Sequence, residues 1–389
     1  MQQTAEGGRQ KFAWVQYLKI GTQPGRIPEL DGLRALAIVM VLLYHFATYY
    51  GEVNGSYYRN FFTGALGHFL QNGWLGVDLF FVLSGYLIFH HLIKLQDQTA
   101  LATDYRRYAL KRVLRTFPVY YAMILLFMLG AIPYYKVDVT GTQLLTHLFF
   151  LQDYMGPRIL EPMWSLATEE KFYLLAPLLL FLRRWPAKQA TLLLLLFVLL
   201  MLLYRSVLII QADADLRSND FFIELRLPFH FAVTGILIGV LVALWQGRPV
   251  NRLGPGSTIG VMLILGVLLF SVKLFDLPSW HWTNWLHGLV IVLFGCLVWS
   301  VVQFSGHRWL ALLRGRTLRV IAVLSYSLYL VHYALLPWVV RIHKTYIRSE
   351  EAWIHIGSFM ALYLGMTLLG SLLVHYLVEK PFLIWKDRL

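Results

Sequence analysis

Residues 30–45 read LDGLRALAIVMVLLYH, an apolar run that contains Arg34 and His45. Continued to residue 50, this run approaches the roughly 20 mostly apolar residues that a helix needs to cross a bilayer. An ionisable side chain inside such a span costs about 2.5–3.5 kcal/mol on insertion, so each one requires a physical reason. The stretch therefore predicts a membrane-spanning helix in which Arg34 and His45 have a structural or functional role.

The composition of the whole chain extends this interpretation. Of the 389 residues, 58% are hydrophobic and 14% are charged, whereas soluble domains carry roughly 25% charged residues. This composition excludes a water-soluble fold, a disordered chain, a coiled coil and a secreted disulfide scaffold. The single cysteine, Cys296, cannot form an intrachain disulfide, and its apolar surroundings predict a small buried residue.

Ten apolar runs are long enough to span a bilayer. They cover approximately residues 33–50, 74–93, 112–131, 164–182, 190–210, 227–245, 257–274, 285–303, 320–340 and 353–376. The sequence thus predicts an all-α fold, a polytopic membrane helix bundle of about ten transmembrane helices. The apolar stretch 143–151 is too short to cross and is expected to be a re-entrant or interfacial piece.

The basic residues determine the predicted orientation. With the N-terminus inside, the inner segments hold 22 of the 34 Lys and Arg residues and the outer segments hold ten. Because cytoplasmic loops carry an excess of Lys and Arg, this bias predicts that both the N- and C-termini are cytoplasmic. The net charge of +13 then reflects topology and contact with the lipid bilayer. No nucleic-acid binding is expected, since no basic stripe lies on a soluble domain.

The predicted organisation has three parts. Residues 1–32 form a cytoplasmic N-terminal segment, residues 33–376 a single ten-helix transmembrane domain, and residues 377–389 a cytoplasmic C-terminal tail. The first part lacks the apolar core and the small-residue cleavage site of a signal peptide. Its basic residues are Arg9, Lys11, Lys19 and Arg26. No loop leaves room for a separate catalytic domain, so the function is expected to lie in the helix bundle.

Arg34 and His45 project from one face of the first predicted helix. They are eleven residues apart, which is three turns plus about 20°, or roughly 16 Å along the helix axis. Each has a simpler interpretation by itself: Arg34 could reach the lipid headgroups, and His45 could hydrogen-bond at an interhelical contact. The shared face favours a common polar cavity for the two side chains.

Other polar groups stand near the ends of predicted spans. Asp78 could pair with a cation or cap a helix start. Arg112 and Arg115, three residues apart at the cytoplasmic mouth of the third span, could anchor the helix or bind a phosphorylated ligand through bidentate hydrogen bonds. Glu169 and Glu170 begin the fourth span, where they could favour the helix N-terminus, orient an imidazole or hold a hydroxylated acceptor.

Six motifs, in this order, resemble those of the bacterial acyltransferase-3 family of integral membrane acyltransferases. They are the R-x10-H pair Arg34 and His45; the G-V-x-x-F-F-x-x-S-G block from Gly76 to Gly85; the R-x-x-R-x-x-P-x-Y block of Arg112, Arg115, Pro118 and Tyr120; the W-S-L-x-x-E-E-x-F-Y block from Trp164 to Tyr173; the S-Y-S-L-Y-L-x-H block from Ser325 to His332; and the E-x-P of Glu379 and Pro381. The resemblance implies ten spans and transfer of an acyl group, usually acetyl, from cytoplasmic acyl-CoA to a hydroxyl group.

The resemblance also suggests roles for individual residues. His45 is expected to be catalytic, either as a general base or as a transiently acylated group, together with Glu169 and Arg34. Arg112, Arg115 and Arg34 are expected to bind the acyl-CoA. The expected acceptor-binding residues are Asp78, Trp164, Glu170, Tyr173 and His332, although a structural role is favoured for His332 when it is considered alone.

The expected function is O-acetylation of a cell-surface glycan such as lipopolysaccharide O-antigen, in the bacterial inner (cytoplasmic) membrane, as in acetylases of the O-antigen or peptidoglycan type. The donor would be acetyl-CoA or another acyl-CoA. No metal is expected, because the sequence has neither H-E-x-x-H nor Cys and His at ligand spacing. The alternatives are acylation of a macrolide-type small molecule, and a transporter or flippase. The oligomeric state is left open.

Overall fold

The computed structural model describes residues 27–55, 62–98, 101–132, 139–156, 159–212, 220–246, 254–347 and 351–388. Within these ranges every regular element is a helix, which confirms the predicted all-α class. The basic residues Arg9, Lys11, Lys19 and Arg26 lie outside the described residues.

Every one of the ten predicted runs coincides with a helix. In chain order the helices are α1 (Pro28–Asn54), α2 (Gly64–Gln71), α3 (Gly76–Gln98), α4 (Leu101–Met128), α5 (Gly141–Leu148), α6 (Gln152–Met155), α7 (Met163–Leu175), α8 (Ala187–Gln211), α9 (Phe229–Leu244), α10 (Gly256–Ser271), α11 (Trp280–Gln303), α12 (Arg316–Tyr346), α13 (Ala352–Val374) and α14 (Lys380–Asp387). The stretch predicted not to cross is the eight-residue α5, which spans only about 12 Å.

Six helical stretches are long and apolar enough to cross a membrane: α1, α2 with α3, α8, α11, α12, and α13 with α14. Two others, α9 and α10, are apolar but shorter. The chain is therefore a multi-pass membrane protein, whereas ten crossings and cytoplasmic termini remain predictions.

Helices at the centre of the bundle have a larger fraction of buried residues than helices at its rim. In the most apolar windows of α1 and α12, 67% of residues are buried, against 17% in α8. Many leucines of α8, such as Leu192 and Leu196, are thus on the outer surface of the bundle, whereas Leu194 is buried. The prediction that Cys296 is buried is wrong, because this residue is exposed. It lies on the face of α11 that also exposes Leu289 and Val292, seven and four residues earlier, as helical periodicity requires.

Close backbone contact joins α3 to α9. A Cβ atom added at Gly85 would overlap the carbonyl oxygen of Ile236, and one added at Gly239 would overlap that of Val82. Small residues let membrane helices approach closely, and here each helix contributes one. This contact fixes α3, which carries Asp78 and Ser84, against α9.

We expect Gly85→Ala to destabilise the protein by about 1–3 kcal/mol, because the added methyl group forces the two backbones apart. The melting temperature of the purified protein in detergent should fall. Gly260→Ala is the matched control, since a Cβ at Gly260 meets nothing within 4 Å. Equal melting temperatures for the two variants would contradict this account of the contact.

The C-terminal segment is part of the bundle. After α13 the chain forms a π-helical turn, His375–Glu379, and continues into α14, which packs against α4. The Glu379 carboxylate accepts hydrogen bonds from Ser327 Oγ (2.6 Å) and from His375 Nδ1 (2.7 Å). Residues 377–387, predicted as a cytoplasmic tail, are therefore helical and anchored to α12 by the E-x-P glutamate.

Candidate active site

Two polar cavities enter the bundle, and they share no lining residue among the described ones. The arginine cavity, of about 550 Å³, is lined by Arg34 of α1, Arg112 and Arg115 of α4, and Glu169 and Tyr173 of α7 together with neighbouring residues. The cavity thus combines the first, third and fourth motifs, which lie far apart in the sequence.

Three guanidinium groups, those of Arg34, Arg112 and Arg115, line the arginine cavity. The guanidinium of Arg112 stacks between the rings of Tyr108 (5.5 Å) and Tyr173 (5.8 Å). Its Nε is buried and has no hydrogen-bond partner among the described residues. Lys386 of α14 adds a fourth cation to the cavity lining. Since guanidinium groups bind phosphate through paired hydrogen bonds, this arrangement suits a phosphorylated ligand.

Of the two adjacent glutamates, Glu169 lines the arginine cavity. Its carboxylate accepts hydrogen bonds from Ser84 (3.0 Å) and Tyr173 (2.7 Å). Glu170 lines neither cavity. The structure therefore does not support the prediction that Glu169 orients His45, because the two side chains line different cavities. Ser84, interpreted from the sequence only as a packing residue, holds Glu169 in place.

His45 lies in the second cavity, the histidine cavity, of about 590 Å³. This cavity is also lined by Glu52, Glu161, Lys273 and Tyr333. The Tyr333 ring lies edge-on to the His45 ring, with 5.0 Å between centroids, and its hydroxyl donates to Glu161 Oε2 (2.6 Å). Sequence analysis missed Glu161 and Tyr333. Glu161 is thus held by the hydroxyl of Tyr333, whose ring contacts the ring of His45.

A barrier of buried side chains separates the two cavities, so the expected common cavity for Arg34 and His45 is wrong. Tyr329 lines the arginine cavity and Tyr333 the histidine cavity. They are four residues apart on α12, which is about 6 Å along the axis. The barrier consists of Tyr329, His332 and Ser165, and the hydroxyls of Tyr329 and Ser165 are 2.6 Å apart.

His332 occupies the middle of this barrier. Its side chain is 0% exposed, and its Nδ1 donates to the carbonyl oxygen of Leu328 (3.1 Å). Its ring centroid is 5.1 Å from that of His45 and 5.9 Å from that of Tyr329. His332 therefore lines neither cavity, in contrast to the predicted acceptor-binding role, but it is adjacent to side chains that line both.

Asp78 and Trp164 also line neither cavity. Asp78 Oδ2 accepts a hydrogen bond from Arg226 (2.8 Å) and lies 3.3 Å from His287 Nε2. The Arg226 guanidinium lies between the rings of Trp74 (4.6 Å) and Trp164 (4.8 Å). Of the two sequence interpretations of Asp78, the structure shows the ion pair. Because Asp78 and Trp164 are 4% and 5% exposed, they hold α3, α7 and the segment before α9 together.

Sequence analysis overlooked both Arg226 and His287, although each is an ionisable residue at or inside a predicted span. Arg205, inside the predicted span 190–210, lies buried within α8 and donates to Asn284 (3.3 Å). Ionisable residues inside spans were the available signal for all three. Among the described residues, no group of three His, Cys, Asp or Glu side chains could hold a metal ion.

Comparison with known proteins finds a matching family and similar curated proteins. A family model described as an acyltransferase domain matches residues 27–376. The chain is 26% identical over 350 residues to the O-acetyltransferase OatA of Staphylococcus aureus strain NCTC 8325 / PS 47, covering 84% of this chain and 53% of the relative. It is 27% identical over 383 residues to a protein of strain COL that is provisionally named an O-acetyltransferase, covering 92% of this chain and 57% of that one.

The chain spans about half the length of the curated relatives it matches. No solved structure matches it.

Proposed function

The chain belongs to the acyltransferase-3 family, and we propose that this membrane acyltransferase moves an acetyl group from acetyl-CoA to a hydroxyl of a cell-surface glycan such as lipopolysaccharide O-antigen. The observation that carries the proposal is the pair of polar cavities, one rich in arginine and one containing His45, that approach each other within one helical turn of α12.

The arginine cavity is the proposed donor site. By the excess of Lys and Arg in the inner segments, its open end faces the cytoplasm, where acyl-CoA is available. Arg112 and Arg115 would bind the phosphates of CoA. Arg34, further along α1, would contact a phosphate or polarise the thioester carbonyl. Glu169, held by Ser84 and Tyr173, balances part of this positive charge.

The histidine cavity is the proposed acceptor site. Glu52 and Glu161 are exposed there, and their carboxyl oxygens can accept hydrogen bonds from sugar hydroxyls. The rings of Tyr44 and Tyr333 both lie edge-on to the His45 ring, each with 5.0 Å between ring centroids, and all three side chains line the cavity. An imidazole is suited to take the proton of the acceptor hydroxyl.

Purified protein in lipid nanodiscs, supplied with radiolabelled acetyl-CoA and a lipopolysaccharide preparation, tests the proposal. We expect release of free CoA together with transfer of label to the glycan. A transporter or flippase would release no CoA, and labelling of a macrolide but not of the glycan would identify the small-molecule alternative. Mass spectrometry of envelope glycans from cells with and without the gene then identifies the natural acceptor and the acyl length.

Arg115→Ala is expected to raise KM for acetyl-CoA roughly tenfold or more, because loss of one charge-assisted contact to phosphate removes about 1.5–3 kcal/mol of binding. Steady-state kinetics with varied acetyl-CoA would measure this. Arg106→Ala is the matched control, since Arg106 is an exposed basic residue of the same helix that does not line the cavity. An unchanged KM in Arg115→Ala would place the donor elsewhere.

A further inference from the structure

The barrier between the two cavities contains an unsatisfied nitrogen. His332 Nε2 is buried and has no hydrogen-bond partner among the described residues. Since the Leu328 carbonyl can only accept, Nδ1 carries the ring proton, and Nε2 of the neutral imidazole keeps a free lone pair. Burying an unpaired acceptor costs free energy, so such a group calls for an explanation.

The position of this nitrogen suggests what the lone pair does. A donor whose acyl end reaches the inner side of the barrier meets Tyr329, whose ring centroid is 5.9 Å from that of His332. On the other side, His45 lines the histidine cavity with its ring centroid 5.1 Å from that of His332. An acceptor hydroxyl that donates to His45 therefore lies within reach of a group carried on His332.

We propose that His332 is the residue that carries the acetyl group between the cavities, as a transient acetyl-imidazole, while His45 is the base for the second step. This inference rests on the proposed function and divides between two histidines the two roles that the sequence left open for His45. A neutral imidazole with its other nitrogen already hydrogen-bonded is a suitable nucleophile for a thioester.

The two steps balance. In the first, the Nε2 lone pair attacks the thioester carbonyl carbon, the C–S bond breaks, and sulfur leaves with the bonding pair as the CoA thiolate. The Nδ1 proton stays on the ring, so the acetylated imidazole is cationic. In the second, His45 takes the proton of the acceptor hydroxyl, the oxygen bonds to the carbonyl carbon, and the C–N pair returns to Nε2. His45 then releases this proton to water in the histidine cavity, and the thiolate takes a proton from water in the arginine cavity, giving ester and free CoA.

An isotope-exchange experiment without acceptor tests this division. Wild-type protein in nanodiscs, given unlabelled acetyl-CoA and radiolabelled CoA, should return label to acetyl-CoA. His332→Asn should lose at least about 100-fold of this exchange. Its amide can still donate to the Leu328 carbonyl from the Nδ1 position, but it lacks Nε2. His45→Ala should retain the exchange within a few-fold while losing transfer to the glycan.

Donor binding and the melting temperature separate a chemical role from a structural one. Both should be close to wild type in His332→Asn, and mass spectrometry of acid-quenched wild-type protein should find one acetyl group on residue 332. Three results would each overturn the proposal. They are exchange that survives in His332→Asn, exchange that is lost in His45→Ala, and acetylation of the glycan by wild-type protein without any exchange. The last result would leave the proposed function intact, whereas the absence of acetyl transfer to any acceptor would count against the function itself.

Discussion

His45→Ala is expected to lower acetyl transfer to the glycan by roughly 10²–10⁴-fold, the usual contribution of a positioned general base. The reason is that no other imidazole among the described residues lines the histidine cavity. Initial rates of label transfer from acetyl-CoA at saturating donor would measure the loss. KM for acetyl-CoA should change little, because the proposed donor site lies on the other side of the barrier.

His68→Ala provides the matched control for this prediction. His68 is a half-buried residue of α2 whose Nδ1 contacts the carbonyl oxygen of Phe270, and it lines neither cavity. Its removal should leave the transfer rate within about twofold of wild type, as for substitutions away from a site. A folded His45→Ala protein with wild-type transfer would remove His45 from the mechanism.

Asp78→Ala should destabilise the protein by about 3–5 kcal/mol, the cost of removing one partner of a buried ion pair. Arg226 would then remain between two tryptophan rings, 2% exposed, without the carboxylate that accepts its hydrogen bond. Arg205 and His287 lie in the same network, so the remaining positive charge would be shared but not neutralised. Melting temperature and the yield of monodisperse protein in detergent would report the loss.

Two companion variants make this prediction specific. The double substitution Asp78→Leu with Arg226→Met should recover much of the lost stability, since an apolar pair of similar volume can replace a buried ion pair. Asp276→Ala removes a carboxylate that is 62% exposed and paired with Lys273 (2.5 Å), and should cost no more than about 1 kcal/mol. If the double variant is no more stable than Asp78→Ala, the broken ion pair is not the cause of the lost stability.

The sequence was sufficient to predict the helices, because in a bilayer the backbone must satisfy its hydrogen bonds within each segment. Boundaries were less predictable where polar or proline residues intervene. The run expected at 112–131 begins eleven residues earlier as α4, because its basic first turns are helical too. The run expected at 164–182 changes to a 3-10 helix at Ala176, next to Pro177, whose nitrogen cannot donate a hydrogen bond.

Motifs identified most side chains of the arginine cavity, but they could not show that this cavity ends before it reaches His45. The periodicity of α1 places Arg34 and His45 on one face, and this says nothing about the side chains that α12 inserts between them. The contact between Tyr333 and Glu161 joins positions 172 residues apart, one of them in a loop. No local pattern in the sequence signals such a contact, so Glu161 could be found only from the fold.

The barrier of Tyr329, His332 and Ser165 has a further consequence for the cell. If the arginine cavity and the histidine cavity joined end to end, water filling them could carry protons across the membrane and dissipate the electrochemical gradient. The barrier residues Tyr329, His332 and Ser165 are 7%, 0% and 5% exposed and lie between the two cavities over about one helical turn, so the cavities do not join there. In the proposed reaction the acetyl group would therefore pass between the cavities without an open path for protons.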